Sequence, residues 1–331
     1  MDRNKRINLN LILMGIALVF VTIWSMYAGT LDVSWERIFQ TLIGKGTASE
    51  TKILWIFRLP RSVTAMLAGL SLSLAGVIMQ GVTGNEIATP SLLGITSGSS
   101  LGVVLLIYFK KLGYSVGNIP LPIGAVFGGF AVFFVLYCLS LKSKLSPAKF
   151  ILNGVAVSSC VGAITTILTY RFSPSDTNYM NIVMSGSLTG ATWDKIFLVL
   201  PLLVVVLYYV SYKSKYLNIL NLGEEISIGF GVDLLKERKK LLYTTVFLSS
   251  IAAYLAGGLS FIGLLASHIS RKLVGGNFKK LIPATILVGM LLMVLADALA
   301  RSLFAPEEIP VGNMLSMIGA PYLMYLLLKT R

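Results

Sequence analysis

An all-α polytopic membrane bundle of about ten transmembrane helices, with N and C termini cytoplasmic, is the fold this sequence predicts, and three observations predict it. Of the 331 residues, 55% are hydrophobic and only 13% charged, against about a quarter charged in an ordinary soluble domain. Apolar runs recur along the whole length, each approaching the roughly 20 residues that cross a hydrocarbon core. The basic residues gather between those runs. A net charge of +14 would point to nucleic acid in a soluble protein, but here topology accounts for much of it. With a cytoplasmic amino terminus, most of the 28 Lys and Arg fall inside, as the positive-inside rule requires. The expected surroundings are membrane lipid and no nucleic acid.

The first run, 9–28, follows Arg3, Lys5 and Arg6 like a signal peptide. No small-x-small cleavage site stands out after it, so it reads as a retained first helix. A segment at 29–61, placed outside, leads to the second run at 62–81. Runs at 91–109, 120–140, 149–171, 194–211 and 240–257 follow, then a short one at 260–274, and finally 281–301 and 311–328. The short run begins at Gly257-Gly258 and could be a half-helix that turns back at that pair. An even number of crossings returns Lys329 and Arg331 to the side of Arg3. The chain reads as one transmembrane domain over 1–331, its longest and most polar inside loop at 212–239. Cys138 and Cys160 fall within runs, where cysteine behaves as a small hydrophobe.

Small residues recur at helix-packing spacing: Gly94, Gly98 and Gly102 in the third run, Gly154, Ser158 and Gly162 in the fifth. Such spacing lets backbones approach closely in lipid, either inside the bundle or along a dimer seam or pore wall. A phosphate-binding G-x-x-x-x-G-K-S/T loop is absent, and Gly44-Lys45-Gly46 lacks both its spacing and its hydroxyl. Any ATP must therefore be used by a partner chain. Asp297 is the one acid within a run, four residues before Arg301 on the same helix face, where local pairing is expected. That leaves little for a secondary carrier, which keeps ionisable groups at membrane depth to bind its coupling ion. His268, the sole histidine, cannot make a metal site alone, and no acidic or histidine cluster marks a catalytic centre. A secondary carrier and a membrane-embedded transferase stand as the rival readings.

Arg58-Leu59-Pro60-Arg61 before the second run, and Arg301 at the outer end of the ninth, run against the charge rule. They either snorkel to lipid headgroups or form a docking platform for an external partner's carboxylates, which guanidinium binds in a fixed fork. On the inside, the stretch from Leu222 to Val232 mixes apolar and polar residues between glycine breaks. It reads as short helices lying off the membrane, fitted to another protein's groove or packed under the bundle.

These motifs together resemble one family. Arg58-Leu59-Pro60-Arg61 is similar to its R-L-P-R, and Ala75-Gly76-Val77-Ile78-Met79-Gln80 to its A-G-x-x-x-Q. Asn85 to Gly94 resembles N-P-L-A-x-P-x-x-L-G, with Glu86 where proline is usual. Gly258 to Leu264, running into His268 and Arg271, resembles G-x-I-x-F-V-G-L-x-x-P-H-x-x-R, with Ser267 replacing the proline. Glu308-Ile309-Pro310-Val311-Gly312 and Ile318-Gly319-Ala320-Pro321 match E-I-P-V-G and I-G-x-P.

The resemblance covers nearly the whole chain and is to the permease subunits of type II ABC importers for iron-siderophore complexes, haem and cobalamin. It implies import across the bacterial cytoplasmic (inner or plasma) membrane, with iron-siderophore favoured as cargo and haem or cobalamin the alternative. It also implies a second permease, identical or related, two cytoplasmic ATPase subunits that use the ATP, and an extracytoplasmic substrate-binding protein. This chain would then bind no cofactor, hold no metal and catalyse nothing. The resemblance makes Arg58, Arg61 and Arg301 the docking contacts for glutamates of the binding protein. It makes Gly223, Glu224, Glu225 and Gly231 part of the ATPase coupling helices in the 212–239 loop. The translocation path would be lined around Gly154, Ser158, Gly162, Gly312 and Ser316.

Overall fold

A backbone crossing hydrocarbon must satisfy every N–H and C=O within its own segment, which makes helices of the long apolar runs. The computed structural model describes residues 3–28, 34–91, 93–114, 121–141, 147–172, 184–230, 233–303, 305 and 307–329, and among them there is no strand. Its elements are α1 (Arg3–Tyr27), α2 (Trp35–Leu42), α3 (Ala48–Lys52), a π-helical turn (Ile53–Arg58), α4 (Leu59–Thr83), α5 (Ile95–Lys111), α6 (Leu121–Leu141) and α7 (Pro147–Thr169). After these come α8 (Trp193–Leu220), α9 (Glu224–Gly229), α10 (Leu234–Ala256), α11 (Ile262–Val274), α12 (Phe278–Ser302) and α13 (Val311–Lys329). Every expected run is a helix, and the protein is a polytopic membrane bundle.

Two expectations about the connections need correction. The 29–61 segment is not a plain outer loop, because helix runs unbroken from Ala48 to Thr83. Its start is fixed by a capping box: the Thr47 hydroxyl accepts from Glu50 N at 3.3 Å, and Glu50 accepts from Thr47 N at 2.8 Å. Pro60 has no N–H to give and its ring would press on the preceding turn. The helix widens just before it, where Leu59 N–H reaches back to Leu54 O, and so the helix continues through it unbroken. The 212–239 loop is also shorter than expected, since α8 persists to Leu220 and α10 begins at Leu234. The short run expected at 260–274 is α11, whose 13 residues make about 20 Å of helix, well short of a hydrocarbon core about 30 Å thick.

The bundle is built around α4. Of its most apolar stretch 89% is buried, against 17% for α1 and 22% for α8, so α4 is the core and the other two form the rim. It packs against α8, α10, α11 and α12. Two glycines set how near its neighbours come. A Cβ on Gly69 would lie 2.4 Å from Gly289 O on α12, and one on Gly76 would lie 2.5 Å from Gly263 Cα on α11. The hydroxyls of Ser71 and Ser73 fold back onto Leu67 O and Leu70 O of the same helix, so α4 buries them at little cost. Gly98 and Gly102 serve the same packing purpose between α5 and α6, where they meet Gly128 and Gly124.

The bundle has two ends. At one, which we call the arginine end, α1 finishes, α4 starts and α12 finishes. At the other, the α9 end, α4, α8 and α11 finish and α10 and α12 begin, with Asn4 near the start of α1 accepting from Lys280 Nζ.

Gly76→Ala should destabilise the protein by about 1–3 kcal/mol, the usual cost of overpacking a close contact, because the atom it meets is backbone. Gly15→Ala on α1, where a Cβ meets nothing within 4 Å, should leave the thermal transition in detergent where it is. Equal transitions for the two variants would overturn this account of the core.

Candidate functional site

At the arginine end, the last turn of α1 presents carbonyls that a helix terminus leaves without partners. Arg58 donates to Met26 O, and Arg301 donates to Ser25 O at 2.9 Å and Ala28 O at 2.8 Å. Guanidinium groups suit the negative end of a helix dipole, so residues of the π-helical turn and of α12 hold the end of α1. Beside them, the Asp297 carboxylate, 1% exposed, takes Arg61 at 2.9 Å on one oxygen and Arg301 at 3.2 Å on the other. Arg61 also reaches Glu308 at 2.7 Å, on the connection into α13.

Of the three arginines expected as docking contacts, two are turned inward. Arg58 and Arg301 are buried at 6% and 5% exposure, their donors turned onto α1. Only Arg61, with 14% of its side chain exposed, stands near the rim. The Asp297–Arg301 pair forms as expected, but Asp297 is shared with Arg61.

At the α9 end, Gln80 of α4 donates to the Ser267 hydroxyl at 2.7 Å, and its carbonyl accepts from Arg271 at 3.4 Å. Arg271 pairs in turn with Glu86 at 3.3 Å. His268, on the same helix, meets the Tyr322 ring edge-on at 5.7 Å. The network ties the end of α4 and the connection after it to α11.

Beyond it, the Ser227 side chain ties α9 to α8. The buried Ser227 hydroxyl donates to Gly223 O at 2.6 Å and Ile219 O at 3.0 Å. Gly223, at φ 107°, makes a turn that a residue with a side chain would strain to follow. Ile226, Ile228 and Phe230 are left exposed at 49%, 63% and 67%, which is a large apolar surface for so short a helix. Glu224 and Glu225 lie on α9, while Gly231 falls outside the described residues. Asp233 caps α10 by accepting from Lys236 N at 3.1 Å. The Lys236 side chain and backbone N–H together hold its carboxyl below the usual range.

The expected path residues fall on two surfaces. Gly154 is buried on α7, which packs on α5 and α6. Ser158 rests against Gly94, and Gly162 faces open space. Gly312 is wedged instead at the start of α13, where a Cβ would sit 1.9 Å from Ser185 O, and Ser316 donates to Gly312 O at 2.9 Å. Beside it lies the break between α10 and α11, where Phe261 holds φ at 66° and its side chain presses on Gly319. A recess opens there; among the described residues its walls include Thr89, Ser91, Ser260, Phe261 and Leu323, none of them charged.

A model of the FecCD transport family matches residues 9–329. The chain belongs to that family. Among FecCD relatives, the iron(3+)-hydroxamate import system permease protein FhuG of Bacillus subtilis is 38% identical, over 97% of this chain and 98% of its own. The Fe(3+)-citrate import system permease protein YfmE of the same organism is 34% identical, over 98% and 96%. A solved structure described as a metal-chelate type ABC transporter in an inward-facing conformation superposes with a TM-score of 0.83 at 29% identity, covering 96% of this chain and 98% of its own.

In this FecCD protein the two departures from the motif pattern meet. Glu86 and Ser267, both standing where proline is usual, join one network through Gln80 and Arg271. Neither carboxylate nor hydroxyl could be supplied by proline, so the network is built on the departures. Glu308 as a partner of Arg61, and Phe261 at the break, were not singled out from sequence. The first was visible only as part of E-I-P-V-G.

Asp297→Asn should cost about 3–5 kcal/mol, the penalty for removing one partner of a buried charge pair, because two guanidiniums lose their counter-charge together. Thermal denaturation in detergent and amide exchange at 24–28 would report it, with exchange at the end of α1 rising first. Unchanged exchange there would sink the proposed clamp on α1.

Proposed function

We propose that this chain is the permease subunit of an ABC importer that carries an iron-siderophore complex across the cytoplasmic membrane while separate ATPase subunits hydrolyse the ATP. End-to-end similarity to a ferric hydroxamate permease carries this reading. The engagement of Asp297 supports it against an ion-coupled carrier: that carboxylate is buried between two arginines, whereas a coupling site must release its ion and stay open to exchange it.

In this reading the α9 end is cytoplasmic. Two ATPase subunits take α9 into their clefts through Ile226, Ile228 and Phe230, with Gly223, Glu224, Glu225 and Gly231 shaping the contact. The arginine end faces the substrate-binding protein through Arg58, Arg61 and Arg301. Arg61 makes the direct contact: Glu308 holds it at the rim with 36% of its side chain exposed, and a partner's glutamate would take Glu308's place. Arg58 and Arg301 keep the end of α1 in position for that exchange. A second permease, identical or related, would complete the path against the open faces of α7 and α13, where Ser159, Ala163, Met317 and Ala320 are exposed. Gly154, Ser158, Gly162, Gly312 and Ser316 border those faces. A wide uncharged lining suits a chelate already selected outside, because tight binding in the path would only slow release.

The test is uptake of radiolabelled ferric hydroxamate, ferric citrate and hemin by proteoliposomes holding the permease pair, the ATPase and the binding protein. Uptake of a ferric siderophore should require every component and ATP. Arg61→Glu should lower it by about tenfold or more, since breaking an interfacial charge pair costs about 2–5 kcal/mol, and should weaken association of the binding protein. Uptake that persists without the ATPase would replace this reading with a carrier, and preferential hemin uptake would reassign the cargo.

A further inference from the structure

The last turns of α8 carry a group of side chains that transport does not use. Lys213 Nζ lies 4.3 Å from the Tyr216 ring centre and 5.9 Å from those of Tyr209 and Tyr212. Lys215 Nζ lies 4.8 Å from Tyr212 and 5.2 Å from Tyr216. All fall within the roughly 6 Å over which a ring face attracts a cation. From α10, Glu237 takes Lys213 at 2.6 Å and Lys240 at 3.2 Å. Glu237 thus answers two ammonium groups, with Lys215 a third on the rings beside Lys213, and these four side chains keep a positive excess.

Its level in the membrane follows from α8 itself. The helix presents Phe197, Val204, Val205 and Tyr208 outward, each at least 58% exposed, so this face meets lipid. Trp193 begins it, stacked on Phe197 at 5.9 Å and donating to Trp55 O at 2.8 Å. From Trp193 to Tyr212 the helix rises about 28 Å, close to the thickness of the hydrocarbon core. Trp and Tyr collect at the two membrane–water boundaries, which puts Tyr212 at the second boundary and Lys215 just beyond it, among headgroups.

We propose that Lys215, framed by Tyr212 and Tyr216, and Lys240, held beside the same cluster by Glu237, bind the phosphate of an anionic phospholipid headgroup. The lipid's acyl chains lie along the apolar face of α8, which is continuous with the cluster, and its phosphate answers the charge that Glu237 leaves over. Rings hold the Lys215 ammonium in place before the lipid arrives, so little order is lost on binding. A lipid seated there holds the end of α8 from which α9 projects.

Native mass spectrometry of the purified full chain, delipidated in detergent and titrated with dioleoyl-phosphatidylglycerol or dioleoyl-phosphatidylcholine, tests this. The wild type should retain phosphatidylglycerol in preference. Lys215→Gln with Lys240→Gln should weaken that by about 25-fold, taking about fivefold per lysine at a charged membrane surface. Lys45→Gln with Lys52→Gln, an equal charge loss at the other end of the molecule, should leave it unchanged. Tyr212→Phe with Tyr216→Phe keeps the rings and should retain the preference. Equal retention of the two lipids by the wild type, or equal losses in the two lysine pairs, would overturn the proposal. So would a Lys215/Lys240 defect confined to ATPase association, which would make the cluster a protein contact.

Discussion

Close approach of backbones at α4 is the constraint on which the rest depends. In lipid the hydrophobic effect does not press helices together, and van der Waals contact takes over that role. Gly69 against Gly289 and Gly76 against Gly263 bring α12 and α11 as near to α4 as backbones can come. That distance sets the chemistry at both ends. With α12 held at Gly289, Asp297 and Arg301 two turns and more further along reach Arg61 and the end of α1. With α11 held at Gly263, Ser267 arrives one turn later within 2.7 Å of Gln80.

The polar groups so assembled are buried, and each cluster supplies its own counterparts. Burying a lone ion is costly, while a pair with further hydrogen bonds can be tolerated. At the arginine end the balance is three guanidiniums against two carboxylates, with helix-terminal carbonyls taking the remaining donors. At the α9 end it is Arg271 against Glu86, with Gln80 and Ser267 completing the set. The two arrangements clamp opposite ends of α4 to different partners, α1 and α12 at one end and α11 at the other.

Much of the fold was legible because apolar length is a direct consequence of bilayer thickness, and all ten runs could be read from it. The short run after Gly257-Gly258 was legible for the same reason. What sequence concealed has physical causes. The helix before Pro60 was not read out of the outside segment 29–61, because a widened turn that carries a helix through proline leaves no mark in composition. Its start did carry a mark, Thr47 three residues before Glu50. The inward turn of Arg58 and Arg301 depends on where α1 ends in space, which no spacing reveals. Gln80 and Ser267 stand 187 residues apart in the chain, so the motifs holding them gave no sign that their two departures from proline belong together.

The unbroken helix from Ala48 to Thr83 has a mechanical consequence. Its glycine contacts centre near residue 72, with about 36 Å of helix from there to Ala48 and about 12 Å to Gln80. A tilt of about 5° about that point would displace Ala48 by about 3 Å and Gln80 by about 1 Å. Such a lever is geared: motion of the α3 arm would arrive at Gln80 reduced about threefold. A hydrogen bond of 2.7 Å between Gln80 and Ser267, lengthened by about 1 Å, is outside hydrogen-bond range, so a tilt of that size would part α4 from α11 at this point.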